Sequence, residues 1–444
     1  MQHKHKCLSV QLIIMKQYFP LLAFLLWPSV LSAHSYHISP SGSDAADGSV
    51  AAPWATLPRA QRALQPGDTL WIGSGTYRVQ PDQIMAYDRQ YAHVFDLAKS
   101  GKPDARICYF AAEGERPVFD FTDVRPERKR VSAFYLGGSW VHLRGFDIVG
   151  VQVTIKGHTQ SECISARGGS HCIIENIAMH DGMAIGYYQN AGSDNLVLNC
   201  DAYNNYDPYS EGPYGGNVDG FGGHTLEAGG TGNVFRGCRA WWNSDDGFDL
   251  INAQAAYVIE DCWSFLNGYQ PQSMERAGDG TGFKAGGYGM KRRVRNPKVM
   301  PQHLVKNCIA YMNKNKGFYA NHHLGGIVWL NNSAYKNPSN YCMLNRLSAD
   351  VVRDTLGYGH IIVGNVSLEP RVEGMHIIQV DTARSVIDRN SFAPFDMGVT
   401  AEDFYSVDPA LLTAPRQADG SLPETDFMRP KSEGLIRHYM GHCF

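Results

Sequence analysis

Four aspartates and one lysine, recurring around a set of Gly-Phe pairs, are the residues of this chain best suited to do chemistry. They are Asp219 in Val218-Asp219-Gly220-Phe221, then Asp245, Asp246 and Asp249 in Asn243-Ser244-Asp245-Asp246-Gly247-Phe248-Asp249, and Lys284 in Gly282-Phe283-Lys284. Aligning Gly220-Phe221, Gly247-Phe248, Gly282-Phe283 and Gly317-Phe318 as stacked layers turns the four phenylalanines into an inward-facing column. Asp219 and Asp246, each just before the glycine, then fall on adjacent layers about 4.8 Å apart. The residues just after the phenylalanines are Gly222, Asp249, Lys284 and Tyr319, so Asp249 shares that surface and Lys284 stands one layer beyond it.

Such a cluster has a chemical consequence. Stacked carboxylates without counter-charge repel one another by several kcal/mol, and one lysine cannot neutralise them. A divalent cation can, and an all-oxygen donor set suits Ca²⁺ better than Zn²⁺ or Mg²⁺. A lysine beside that cation has its ammonium form disfavoured, which lowers its pKa and frees the amine as a base. The cation can also bind a substrate carboxylate and acidify the adjacent C–H. In a uronic acid the C5 proton lies α to the carboxylate and the O4 glycosidic bond β to it. Proton removal at C5 with loss of the O4 substituent is β-elimination, which consumes no water and leaves a 4,5-unsaturated end.

The elements that would position these groups are visible as short apolar runs. Val141-His142-Leu143-Arg144-Gly145, Ile173-Ile174-Glu175-Asn176-Ile177 and Leu196-Val197-Leu198-Asn199-Cys200 begin a series. Val234 to Cys238, Val258 to Cys262, Leu304 to Cys308 and Val328 to Asn332 continue it. Each is followed by a second strand-like piece, as in Ala202-Tyr203, Ala240-Trp241 and Ala310-Tyr311. The shortest intervals are 23 or 24 residues, as from Ile177 to Cys200 and from Cys238 to Cys262. The longer intervals carry loop insertions. Strand-rich coils of this period with Gly/Asn turns predict an all-β parallel β-helix. Cys200, Cys238, Cys262 and Cys308 share one repeat position, which predicts an internal ladder of free, buried thiols. Trp54 to Leu64 reads as a short amphipathic helix capping the open N-terminal end. Residues 400–444 read as a loop-rich tail laid against the solenoid.

With Lys+Arg 40 against Asp+Glu 43 and a formal net charge of −3, no basic field points to nucleic acid. Residues 1–33 read as a signal peptide: Lys16 precedes the apolar stretch Tyr18 to Trp27, small residues reach Ala33, and Met15 is an alternative start. The remainder, 34–444, is expected to be a single β-helical catalytic domain with an N-terminal cap over 34–80. It is expected to be monomeric, to have no membrane span and to be secreted or periplasmic.

The chain resembles polysaccharide lyase family 9, a Ca²⁺-dependent group built on a right-handed parallel β-helix. The resemblance rests on Asp219-Gly220-Phe221, Ser244-Asp245-Asp246-Gly247-Phe248-Asp249 and Gly282-Phe283-Lys284. It extends to Ser39-Pro40-Ser41-Gly42-Ser43-Asp44 near the start and Ala414-Pro415-Arg416-Gln417-Ala418-Asp419-Gly420 in the tail. It implies that Asp219, Asp245, Asp246 and Asp249 hold Ca²⁺ and that Lys284 is the Brønsted base. The implied substrates are pectic polysaccharides: homogalacturonan, or the rhamnogalacturonan-I backbone in which galacturonate alternates with rhamnose. Bases near the site (Lys291, Arg292, Arg293, Arg295 and Lys298 in one inserted loop, with Arg346) and the pair His322-His323 are candidate substrate contacts. Their mixture with aromatics leans towards rhamnogalacturonan. Two other readings stay open, a β-helical pectin hydrolase using a carboxylate pair and a non-catalytic, Ca²⁺-stabilised carbohydrate-binding β-helix.

Overall fold

Each coil of the chain turns at a residue held in the left-handed region. At the first corner these are Asn176, Asn199, Gly237, Asp261, Asn307 and Asn331, with φ of 50°, 54°, 64°, 53°, 54° and 52°. Asn, Asp and Gly tolerate this conformation best, so the corner is written into the sequence. The second corner is held by bulkier residues, among them Trp242, Leu266 and Met312, at φ of 54°, 57° and 51°. Their conformational cost of about 1–2 kcal/mol each is offset by the asparagine that follows.

Those asparagines, Asn205, Asn243, Asn267, Asn313 and Asn337, form a fully buried ladder. The Asn243 side-chain amide donates to Asn267 Oδ1 at 3.1 Å and to the Ala202 carbonyl at 2.9 Å. Asn267 repeats this towards Asn313 and Ala240, and the backbone N–H groups of both Asn243 and Asn267 donate to the next side chain. The ladder asparagines thereby satisfy their own buried amides, as burial requires, while the Oδ1 of the corner residue Asn204 has no partner among the described residues.

The computed structural model describes residues 33–287, 297–348, 351 and 353–443. Among these, three long sheets run the length of a parallel β-helix, with 12, 10 and 11 strands. The first begins at Ser35–Ile38 and ends at Val386–Asp388. It contains strands at all seven of the first apolar runs, and the second sheet takes up the pieces that follow them. The third carries Phe221–Gly223, Phe248–Asp249, Phe283–Lys284 and Lys316–Tyr319 as neighbours. Phe221 pairs with Phe248, Phe248 with Phe283 and Phe283 with Phe318. Their rings stack at 4.9, 4.9 and 5.0 Å, and Tyr341 extends the column.

The glycine before each phenylalanine sits against the second sheet. A Cβ on Gly220 would lie 2.7 Å from that of Ala240, and one on Gly247 would lie 2.7 Å from the Gly282 carbonyl oxygen. The cysteine ladder is present as free, buried thiols, and burial pushes the thiols of Cys200, Cys238 and Cys262 well above their ordinary range. Further along, Asn332, Asn365 and Asn390 occupy the same repeat position and bond to one another.

The capping helix spans Leu57–Ala63, shorter at its start than the sequence suggests. Thr56 accepts the Arg59 N–H as N-cap, and Pro58 opens the first turn. Trp54, Leu57, Ala60 and Leu64 are buried in the main core. The tail packs Phe404, Leu412, Phe427 and Met428 on the outer face of the second sheet, against Trp263, Phe265, Tyr311 and Tyr335. Arg416 clamps it with a 2.7 Å pair to Asp201, which is also held by Arg239 at 2.8 Å.

Candidate active site

The third sheet delivers the charged residues from adjacent strands. Gly222 pairs with Asp249, Asp249 with Lys284 and Lys284 with Tyr319, the register expected from the Gly-Phe alignment. Lys284 Nζ lies 2.9 Å from Asp246 Oδ2 and 3.0 Å from Asp249 Oδ2. Asp219, Asp245 and Asp246 offer carboxylate oxygens within 4.8 Å of one another, and Asp219, His224 and Asp249 offer a second such set.

Each carboxylate is held by a backbone N–H. Asp219 Oδ1 accepts from Asp246 at 3.1 Å, and Asp246 Oδ1 accepts from Thr281 at 2.6 Å. Asp245 Oδ1 accepts from Asp279 at 2.7 Å and Asp249 Oδ1 from Ile251 at 2.7 Å. These bonds freeze the cluster before any ligand arrives, and the strain they hold is electrostatic.

Asp246 is completely buried, and Asp219 and Asp249 are each 5% exposed. Burial and mutual repulsion hold the carboxyl groups of Asp219 and Asp245 well above the usual range, and burial raises Asp246 although Lys284 opposes it. Burial alone would lower the Lys284 pKa, but Asp246, Asp249, Asp245 and Asp219 outweigh it and hold the ammonium well above its ordinary value. This is opposite to the lowered value expected for a lysine beside a divalent cation, because the charge facing Lys284 here is all negative. Carboxylates that resist ionising together, rigidly held around one shared amine, fit a hard divalent cation. His224 adds a nitrogen at the margin of that set.

Residues 36–359 match the family described as Pel9A-like, right handed beta helix region. The chain belongs to this family. Pectate lyase L of Dickeya dadantii (strain 3937) is 34% identical over 399 residues, covering 89% of this chain and 83% of the relative. Pectate lyase PEL9 of Emericella nidulans is 28% identical over 432 residues, covering 91% and 94%. Among solved structures, a rhamnogalacturonan lyase superposes with a TM-score of 0.89 at 47% identity, covering 92% of this chain and all of that one. Pectate lyase Pel9A superposes at 0.70 with 32% identity and 90% of each chain covered. The family's right-handed β-helix and the sheets described above agree.

Around the cluster of this Pel9A-like chain, the predicted substrate contacts separate. His322 stands beside it: its Nδ1 is 3.4 Å from the hydroxyl of Tyr319, the register partner of Lys284, and its Nε2 is 3.2 Å from Asp354. His323 is a correction, since it is completely buried. Its Nδ1 accepts the Gly287 N–H at 3.2 Å and its Nε2 bonds the Pro301 carbonyl at 2.8 Å, so it holds backbone in place of substrate. Arg346 is also 5% exposed, and its strand pairs with Asp354–Thr355. Arg292 lies outside the described residues, as do Lys291, Arg293 and Arg295. Lys298 is exposed.

Sequence reasoning missed His224 and Tyr188. Tyr188 pairs in register with Gly222, and its ring stacks on His224 at 4.9 Å. His224 Nδ1 lies 2.8 Å from the Ile251 carbonyl. The signal was available in the column of third-sheet residues after each inward ring, which also contains Tyr319. It was hidden because the strand of Tyr188 carries Gly186-Tyr187 where later coils carry Gly-Phe.

Proposed function

We propose that this protein is a pectic polysaccharide lyase that cleaves by β-elimination, with Lys284 as Brønsted base and Asp219, Asp245, Asp246 and Asp249 as ligands of one Ca²⁺. The observation that carries this reading is the single amine of Lys284, 2.9 and 3.0 Å from two members of a buried carboxylate cluster. Bound there, Ca²⁺ would supply a Lewis acid that withdraws charge from a uronate carboxylate and acidifies the neighbouring C5–H.

Lys284 Nζ, as free amine, takes the C5 proton. The electron pair of that C–H becomes the C4–C5 double bond, and the O4 bond breaks with its pair leaving on oxygen. Because four aspartates hold the ammonium form, the base form depends on their charge being taken up. The two roles of the cluster are thereby tied together. The backbone bonds to Asp246 and Asp249 keep their carboxylates, and hence the amine between them, at a fixed height above the sheet. Tyr188 and His322, both half-buried, give the same face aromatic surface suited to sugar rings.

Rhamnogalacturonan-I is the preferred substrate in this reading. A solved rhamnogalacturonan lyase shares 47% of aligned residues with this chain against 32% for Pel9A. A polymer of this size also places the site of action outside the cytoplasm, consistent with the export-like segment at 1–33. No helix among the described residues is long and apolar enough to cross a membrane. Incubation with rhamnogalacturonan-I and homogalacturonan in parallel, each with Ca²⁺, tests the reading by ultraviolet absorbance and product size. Faster growth of unsaturated product on rhamnogalacturonan-I is expected. Saturated ends on both would overturn the reaction class, and a clear preference for homogalacturonan would overturn the substrate.

A further inference from the structure

Five strands N-terminal of Lys284 on the same sheet, Arg130 opens the strand Arg130–Leu136. With spacings of about 4.8 Å its strand lies roughly 24 Å along the sheet from that of Lys284, and Arg130 itself stands further off, five residues before Tyr135, which occupies the register position of the lysine. Arg89, Arg128, Arg130 and His158 line a cavity of about 480 Å³ there. Arg89 and Arg128 are exposed. Among the described residues, neither Arg89 nor Arg130 has an acidic partner, and the partner of Arg128 is Glu127 at 3.7 Å with both side chains open to solvent, a pair worth little. Arg130 is fixed by its strand and by bonds to Thr159 Oγ1 at 3.0 Å and to the Tyr91 hydroxyl at 3.2 Å.

An unbroken chain of contacts joins this cavity to the acidic cluster. The Tyr91 hydroxyl accepts from Arg167 Nη2 at 2.8 Å. The Arg167 guanidinium lies 5.0 Å over the Tyr188 ring, Tyr188 stacks on His224, and His224 shares a set of donor atoms with Asp219 and Asp249. A second link runs through Asn217, whose side-chain amide lies 3.1 Å from His158 Nδ1, two residues before Asp219. The intervening bases are already committed: Arg167 pairs with the buried Glu162 at 2.5 Å, and Lys156 donates to the Tyr209 carbonyl at 2.7 Å. At the cavity itself His158 faces Glu211 at 3.2 Å, so the three guanidinium groups carry its positive charge.

We propose that Arg89, Arg128 and Arg130 form a distal subsite that binds the carboxylate of a uronate several units along the same polymer chain from the bond being broken. Guanidinium groups match a carboxylate in planarity and charge, and a cavity joined to the active site along one sheet face takes a ligand continuous with the substrate. The inference rests on the lyase reading above.

The test is the double variant Arg89→Gln/Arg128→Gln, at exposed positions where folding is preserved, with thermal unfolding checked against wild type. Initial rates are followed by ultraviolet absorbance on the polymer and on a trisaccharide too short to reach the cavity. KM for the polymer is expected to rise about tenfold or more, the loss typical of one charge-assisted contact, with kcat retained. The trisaccharide should show no comparable rise. A polymer KM within about twofold of wild type, or an equal rise on both substrates, overturns the subsite. If wild type makes no unsaturated product from any pectic polymer, the lyase reading fails instead.

Discussion

Lys284 is asked to hold a proton at one atom, and its removal has separable consequences. In the Ca²⁺-loaded protein, Lys284→Ala should lower kcat by about 10²–10⁴-fold, the scale of a lost general base. Ca²⁺ affinity, measured by calorimetry, should not fall, because the variant removes a positive charge 2.9 and 3.0 Å from two ligand carboxylates. Asp246→Asn should weaken both Ca²⁺ binding and turnover, since Asp246 is at once a donor and the lysine's partner. The pH dependence follows from the carboxyl groups of Asp219, Asp245 and Asp246, whose folded-state values lie above the ordinary range through burial and mutual repulsion. Groups with raised pKa favour the folded state at low pH, and that contribution is lost as pH rises above about 4. Lys284, also raised, stays charged in both states across that window and does not change the sign. In chelator, the melting temperature should therefore fall as pH rises from the acidic side. The increment on adding Ca²⁺ should be larger at pH 8 than at pH 5. A constant increment would show that the cluster does not bind the ion.

The strands and corners place these atoms, and their failure should be felt at the site. Asn267 is completely buried and serves two coils through side-chain and backbone bonds. Asn267→Ala should cost about 1–3 kcal/mol, read by urea unfolding, because the partner groups lose their bonds in a dry environment. Gly282→Ala puts a Cβ 2.7 Å from the Gly317 carbonyl oxygen and 2.8 Å from Asn313 Nδ2, so it should depress activity by displacing Phe283-Lys284 while Lys284 itself is intact. Much of this scale was legible in the sequence. The period-23 runs fell on the first sheet, and the Gly-Phe pairs gave the register of Asp249 with Lys284 because a side chain that must fill the core cannot slip by one. The second corner was not legible. Trp242, Leu266 and Met312 carry no left-handed preference of their own and adopt it through the asparagine ladder behind them. His323 was misread for a related reason: adjacent histidines on a turn face opposite ways, and only backbone geometry shows which one enters the core.

At the scale of the whole molecule, the cap, the tail and the stacked sheets make a rigid bed for a polymer. Arg416 belongs to this scale, since it ties the tail to Asp201 and also donates to the Cys200 and Gly237 carbonyls. Arg416→Ala should destabilise the fold by about 1–3 kcal/mol, because the tail and the Cys200 and Gly237 carbonyls lose their charge-assisted bonds while Arg239 still pairs with Asp201, and thermal unfolding would show it. The tail's place on the second sheet was foreseen only as contact, because its loops carry no period. The reaction on the polymer is tested most directly by comparing wild type and Lys284→Ala on rhamnogalacturonan-I, each with Ca²⁺ and with chelator, following the absorbance of unsaturated ends. Unsaturated product from wild type with Ca²⁺ alone, and from no other combination, is the predicted result. Cleavage that survives chelation, or a wild-type rate from Lys284→Ala, would contradict it.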